Sequence, residues 1–240
     1  MSDRNRCKPY GNLATAKVLV IGHDPKLQTG STRAEFTFFM DYMEECRPAT
    51  TSERAKHDLA LCTYCYIKTL TGRSASFEDI YFTNLCNQFL ERNGKGTILI
   101  QCSIADQDIQ EIEEILNKGS FEVILPMAQQ VFYHLVRKGF VEGASSENLA
   151  TFLKKSQPRQ KAAEQGIYVP VGAAAFVDVC GNRYTHRSGI PIVPILHVKQ
   201  WLRGFMISPK YYCPMRKTGT NVRKILNPKA DTTKRNEIHP

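Results

Sequence analysis

The sequence predicts an α/β protein built on a short, mostly parallel sheet of four strands. Two observations carry this. Four apolar runs of strand length recur along the chain, and segments with one apolar face at helical spacing lie between them. Short runs rich in β-branched and aromatic residues suit buried strands. Strands that alternate with helices make βαβ units, whose sheets are mostly parallel.

The elements follow in order. Lys17-Val18-Leu19-Val20-Ile21 is the first strand. Glu35 to Glu45 carries Phe36, Phe39, Met40 and Met43 at helical spacing, and Ser52 to Leu70 carries Ala55, Leu59, Cys62, Tyr66 and Ile67. Ile80-Tyr81-Phe82-Thr83 is the second strand. Asp106 to Leu116 is helical through Ile109, Ile112, Ile115 and Leu116. Phe121-Glu122-Val123-Ile124-Leu125 is the third strand, and Gln129 to Val136 is the helix after it. Gly139 to Gln165 is polar, helix-compatible and reads as an insertion. Ile167 to Val171 and Phe176 to Val179 read as a hairpin or extra edge strands. The fourth run, Ile190 to Leu196, holds Pro191 and Pro194, which predict an edge position or an irregular strand. From Lys217 the chain is rich in Thr, Asn, Lys and Pro, and is expected to be mobile unless it docks on a partner. The chain thus divides into an arm (1–16), an α/β domain (17–208) and a basic tail (209–240).

The chain has 240 residues, 42% hydrophobic and 23% charged, which allows one sizeable core and argues against a disordered or fibrous class. No apolar run reaches the length of a membrane span, and the polar start Met1-Ser2-Asp3-Arg4-Asn5-Arg6 is not followed by a signal-peptide core. The expectation is a cytoplasmic protein with no membrane contact. The formal charge is +9 and uneven. Lys210, Arg216, Lys217, Arg223, Lys224, Lys229, Lys234 and Arg235 crowd the tail, opposed only by Asp231 and Glu237. Lys154, Lys155, Arg159 and Lys161 form a second cluster. Such patches attract polyanions, and also serve as plain solvated faces. The eight cysteines read as thiols. Cys62-Thr63-Tyr64-Cys65 has the spacing of a metal or redox pair, but no second such pair or His pair completes a zinc site. Two thiols on one helix is the favoured reading, and no metal is expected.

Ligands of open α/β sheets bind beyond the carboxyl ends of the strands. The residues there are Gly22-His23-Asp24-Pro25, then Asn84, then Pro126-Met127-Ala128-Gln129-Gln130, then His197-Val198-Lys199-Gln200-Trp201. Taken singly, Asp24 before Pro25 suits a turn, Asn84 suits a cap, and His197 suits ordinary backbone partners. Together they deliver a carboxylate, an amide and an imidazole to one edge.

In this order the motifs resemble the uracil-DNA glycosylase superfamily, over roughly residues 17 to 203. Typical members carry GQDPYH after the first strand and HPS at the last, where this chain has Gly22-His23-Asp24-Pro25-Lys26-Leu27 and His197-Val198-Lys199. The resemblance implies a three-layer α/β/α domain that flips a nucleotide out of DNA and hydrolyses its N-glycosidic bond, as a monomer and without a metal. Asp24 would orient a water and balance the cationic sugar. His197 would donate to the base O2 as negative charge grows there. Asn84 would accept from N3–H and donate to O4, selecting uracil over cytosine. Gly22 and His23 belong to the same base-binding motif. The stacking ring follows that motif by about a dozen residues, which leaves Phe36 and Phe38 both open.

Departures from the family pattern bear on these roles. Lys26 stands where the family has the Tyr that helps exclude thymine, so the exact base is open, and Lys26 could instead meet a phosphate. Val198-Lys199 replaces Pro-Ser. Trp201, Leu202 and Arg203, beside Lys199, could supply the wedge and phosphate contacts of that loop, while a lone Trp is as often a core anchor. Some members hold an iron–sulfur cluster on four cysteines. Cys86 and Cys102 have a similar separation to two of them, but Cys7 alone precedes the first motif, so no cofactor is expected. Two other readings use the same residues: a non-catalytic nucleic-acid-binding member of this fold, and a hydrolase of free nucleosides or nucleotides.

Overall fold

A computed structural model describes residues 6–23, 35–43, 50–89, 100–143, 146–164, 174–198 and 209–228. The sheet holds β1 (Val18–Gly22), β2 (Ile80–Asn84), β3 (Val123–Pro126), β4 (Tyr184–Thr185) and β5 (Pro191–Ile192) in the order β2-β1-β3-β5-β4. The pairs among β2, β1, β3 and β5 are parallel, and β4 adds an antiparallel edge. A parallel sheet must be covered on both faces. Helices α1 (Thr51–Thr71), α2 (Cys102–Lys118), α3 (Gln129–Arg137), α4 (Glu147–Glu164), α5 (Ala174–Val179) and α6 (Pro209–Leu226) supply the cover.

The pleat of β1 sorts two cores. Leu19 and Ile21 face Ile109 and Ile112 of α2, Phe132 and Leu135 of α3, Leu149 and Phe152 of α4 and Phe176 of α5. Val18 and Val20 face Tyr66, Ile67 and Leu70 of α1, Met40, and Val222 of α6. Alternating side chains of one strand thus serve opposite faces, and the architecture is three-layered α/β/α, as expected. Helix α1 begins on a capping box, with Thr50 and Glu53 bonding each other's backbone amides. No helix among the described residues is long and apolar enough to cross a membrane.

Several expectations need correction. There are five strands, not four, among the described residues, because the two-residue β4 pairs with β5. That pairing also moves the proline-rich run off the edge. Its irregularity is real: beyond Ile192 it continues as single backbone bonds, from Val193 N to Ile124 O and from Ile195 N to Pro126 O. Phe176 to Val179 is not a strand but lies in α5, where Phe176 and Val179, three apart, share one buried face. The other half of that expected hairpin, 167–171, lies outside the described residues. Within the expected helix over Glu35 to Glu45, the described residues 35–43 hold a short 3-10 stretch, Thr37–Met43, broken at Phe38 and Phe39, whose φ values are 58° and 57°. Residues assigned to a mobile tail form α6 instead. Met215 and Val222 are buried in the two cores, and the Arg223 guanidinium donates to the Thr69 and Leu70 carbonyls. The N-terminal arm is docked as well. Tyr10 and Phe82 exchange backbone hydrogen bonds of 2.9 and 2.8 Å along the outer edge of β2. Arg6 binds Glu111 at 2.6 and 2.7 Å and Asp108 at 3.2 Å on α2.

Candidate functional site

The carboxyl edge of the sheet brings part of the expected set together. In the parallel pairing Gly22 stands opposite Asn84. Asn84 is 3% exposed, and its Nδ2 donates to the Thr37 hydroxyl at 3.5 Å. That hydroxyl donates onward to the Lys8 carbonyl at 3.1 Å. A carbonyl only accepts, so the hydroxyl proton is committed and Thr37 receives the amide N–H. Asn84 Oδ1 therefore points the other way, towards Gly22, where an added Cβ would fall within 2.5 Å of it. The same Cβ would collide with the Phe38 ring. Glycine at 22 is thus a requirement of space: strand, amide and ring converge too closely for any side chain.

This geometry separates the two aromatic candidates. Phe38 lies over Gly22 and meets Phe82 edge-on at 6.0 Å. Phe36 packs instead against Tyr10 at 5.6 Å, with the Lys8 ammonium 5.8 Å from its ring centre. It belongs to the docking of the N-terminal arm. Left-handed backbone at Phe38 and Phe39 is unfavourable for bulky residues, on the order of 1–2 kcal/mol each, and such strain collects at functional sites. Beside this network Cys7 lies 3.9 Å from the Thr37 hydroxyl, and burial pushes its thiol up to about 11.

His23, one residue past β1, turns towards the first turn of α3 and hydrogen-bonds Gln130 through Nε2. Gln130 donates to Gln160 of α4 at 3.5 Å, and Gln160 donates to the Ile100 carbonyl at 2.8 Å. One turn along α3, His134 is wholly buried, and neither ring nitrogen makes a well-formed hydrogen bond among the described residues. Burial first, then Arg137 and His23, hold His134 neutral down to about 3, outweighing the nearby Ile100 backbone and Asp106. Ala128, the residue before α3, has φ of 87°, a second unfavourable backbone at the same edge.

His197 is half-buried and sits two residues beyond Ile195, which bridges Met127 at the end of β3. It leaves the sheet on β5, two strands from β1, or roughly 10 Å at ordinary strand spacing. Asn84 and His197 therefore flank the edge from opposite sides of β1 and β3. Asp24, Lys26, Lys199, Trp201, Leu202 and Arg203 lie outside the described residues. Cys62 and Cys65 share helix α1, Cys65 exposed and Cys62 partly so, with burial raising the Cys62 thiol.

Thr37, Gln130, His134 and Gln160 were not singled out from the sequence. Gln130 carried a signal, since it closes the polar stretch after the third strand. The others carried none, because their roles depend on which helix packs where. A comparison with protein-family models finds no match, and no curated protein matches the sequence.

Proposed function

We propose that the chain is a monofunctional DNA glycosylase that hydrolyses the N-glycosidic bond of uracil or a related deaminated base, acting in the cytoplasm as a monomer with no cofactor. The observation that carries this reading is the pairing of the Asn84 carboxamide with the Phe38 ring over Gly22. A buried amide whose acceptor oxygen is fixed beside an aromatic face suits a planar base with an N–H on its edge. Asn84 Oδ1 takes the N3–H, its Nδ2 reaches O4, and Phe38 stacks. Asp24, two residues past the end of β1 in the sequence, is the group we assign to the water and the cationic sugar. His197, arriving from the far side, is assigned to the O2 of the departing base, where negative charge grows. The net charge of +9 favours a polyanionic substrate over a free nucleoside.

The test is cleavage of a labelled oligonucleotide carrying one uracil, single-stranded or paired with guanine or adenine, followed by alkali. We expect cleavage by the wild-type protein. Asp24→Asn and His197→Ala should each lower it on the order of 100-fold or more, with thermal melting unchanged. Wild-type turnover surviving both changes rejects the assignment. Salt-sensitive binding with no abasic product from any modified base would instead identify a binding-only protein. Turnover of a free nucleoside without DNA would identify a nucleoside hydrolase.

A further inference from the structure

The hairpin between β4 and β5 carries a hydroxyl, an imidazole and a carboxylate in line. Strand β5 runs parallel to β3, β4 runs antiparallel to β5, and Thr185 stands opposite Pro191, the first residue of β5. The turn from His186 to Ile190 therefore lies at the amino edge of the sheet, away from Asn84 and Phe38. His186 is 2% exposed, with its ring centre 4.3 Å from that of Phe140. Its Nδ1 meets two groups of Ser188, the backbone N–H at 3.1 Å and the hydroxyl at 2.7 Å. An amide N–H only donates, so Nδ1 is an acceptor and the Ser188 hydroxyl donates to it as well. The ring proton is then on Nε2, which faces Glu113 of α2 with both carboxylate oxygens 3.3 Å away. Arg187 holds one of those oxygens at 2.9 Å.

We propose that Ser188, His186 and Glu113 form a second catalytic site, in which Ser188 takes the acyl group of a small ester and passes it to water. A nucleophile within hydrogen-bond reach of a base, with that base oriented by a third group, is the arrangement that activates a hydroxyl. It is recognised by geometry and roles, not by chain order. Ser188 is exposed, and a Cβ added at the neighbouring Gly189 would meet nothing within 4 Å, so an ester carbonyl has room to approach. Ser188 Oγ bonds to the carbonyl carbon as its proton passes to Nδ1 of His186. The imidazolium so formed faces the Glu113 carboxylate. The bond from carbon to the leaving oxygen then breaks, and Nδ1 gives its proton to the departing alkoxide. Water attacks the acyl-serine and loses a proton to Nδ1. The carboxylic acid leaves as Ser188 Oγ takes that proton back. Ser188 and His186 touch the reacting atoms, and Glu113 is a positioning residue. An open turn suits a short acyl chain, not a substrate that must be enclosed. A hairpin cap needs only the backbone N–H on Nδ1; it does not need the hydroxyl on the same nitrogen. The site is independent of the glycosylase reading.

The test treats the full chain with a fluorophosphonate, from which an activated serine displaces fluoride to leave a stable phosphonyl ester. The exposed Cys65 thiol can also meet electrophiles, so the adduct is located by peptide mass spectrometry. We expect label on Ser188, and none on that peptide in Ser188→Ala. His186→Gln should slow labelling on the order of 100-fold, as loss of a general base does. Glu113→Gln should slow it on the order of tenfold or more. Arg187→Ala breaks an ion pair to the same carboxylate but leaves His186 in place, and should stay within about twofold of the wild type. All rates are taken well below the melting temperature of each variant. A purely structural role for these residues would move the melting temperatures and leave the labelling rates alone. A wild-type protein that takes no label on Ser188 overturns the proposal. So does labelling unchanged in both His186→Gln and Glu113→Gln, which would mark Ser188 as an ordinary surface serine. If His186→Gln fails to fold, Glu113→Gln set against Arg187→Ala decides. Steady turnover of p-nitrophenyl acetate, lost in Ser188→Ala, tests the transfer to water, and label without turnover would overturn that step.

Discussion

At the residue scale, His134 ties the site to the stability of the fold. Its imidazole takes no proton in the folded protein until about 3, whereas an unfolded histidine takes one near 6.5. Between those values the unfolded chain binds a proton that the folded chain refuses. Stability from this residue is therefore complete above about 6.5 and is lost as pH falls towards 3, by an amount on the order of a few kcal/mol. Asp79 and Asp106, whose carboxyls are held low by Ser76 and by Arg137 and Lys138 respectively, add losses only below the ordinary carboxylate range. The loss from His134 falls in the window from about pH 6.5 to 4.5, opposed there by Asp108, whose carboxyl is raised by burial and then by Glu111 and so takes a proton more readily in the folded chain. Thermal melting of the wild-type protein should fall across that window, and His134→Leu should flatten that slope; an unchanged slope would mean that His134 titrates normally. None of this was legible in the sequence, where His134 reads as a polar residue on an amphipathic helix. Its burial follows from α4 closing over α3, a contact no local pattern encodes. Gly22 and Asn84, by contrast, were legible, because strand-end position is enough to bring them to one edge. Phe36 and Phe38 could not be separated by spacing. Two left-handed residues, which no propensity anticipates, swing one ring onto Gly22 and leave the other with Tyr10.

Elements with a strong period were read correctly from sequence, and those whose form depends on a neighbour were not. The runs of β1, β2 and β3 are apolar throughout because both faces are covered, and that pattern survives in one dimension. Prolines normally mark an edge or an irregular strand, and for β5 the irregular strand is the alternative that forms, one place in from the edge. Pro191 escapes the rule as the first residue of its strand. Pro194 escapes it because Val193 and Ile195 donate to β3, so the missing N–H at 194 would point away from that ladder. The basic composition after Lys217 hid α6 in the same way: charge said tail, while Val222, fully buried in the core that α1 lines, says core. The helix is part of the domain, and two outcomes follow. Val222→Ala should destabilise the protein by about 2 kcal/mol, at the lower end of large-to-small core changes. A chain ending at residue 208 should fail to give a cooperative melt, since it exposes the α1 face that α6 covers. A soluble truncated protein melting like the full chain would return α6 to the status of an appendage.

For the whole molecule, the fold divides the positive charge that the sequence shows as one excess. Helix α4 is tied to the start of α3 through Ser156 with Gln129 and Gln160 with Gln130, at the carboxyl edge of the sheet. Lys154 and Lys161 are exposed on that same helix. Arg223 instead binds the last turn of α1, whose chain continues to the start of β2, so it sits at the amino edge. Lys118, which ends α2 just before β3, lies at that edge as well. If DNA is the substrate, only charges at the carboxyl edge can meet phosphates while a base occupies the site. Each phosphate neutralised contributes about 0.9 to the slope of log affinity against log salt. Lys154→Glu combined with Lys161→Glu should lower that slope by about 1.8, while Lys118→Glu should leave it unchanged despite the same charge reversal. Fluorescence anisotropy with a labelled oligonucleotide between low and moderate salt gives both slopes. Equal losses from the two edges would mean that the protein meets DNA through its net charge alone. A loss confined to Lys118→Glu would put the nucleic acid on the opposite edge from Asn84 and Phe38, and the base-binding role of that pair would fall with it.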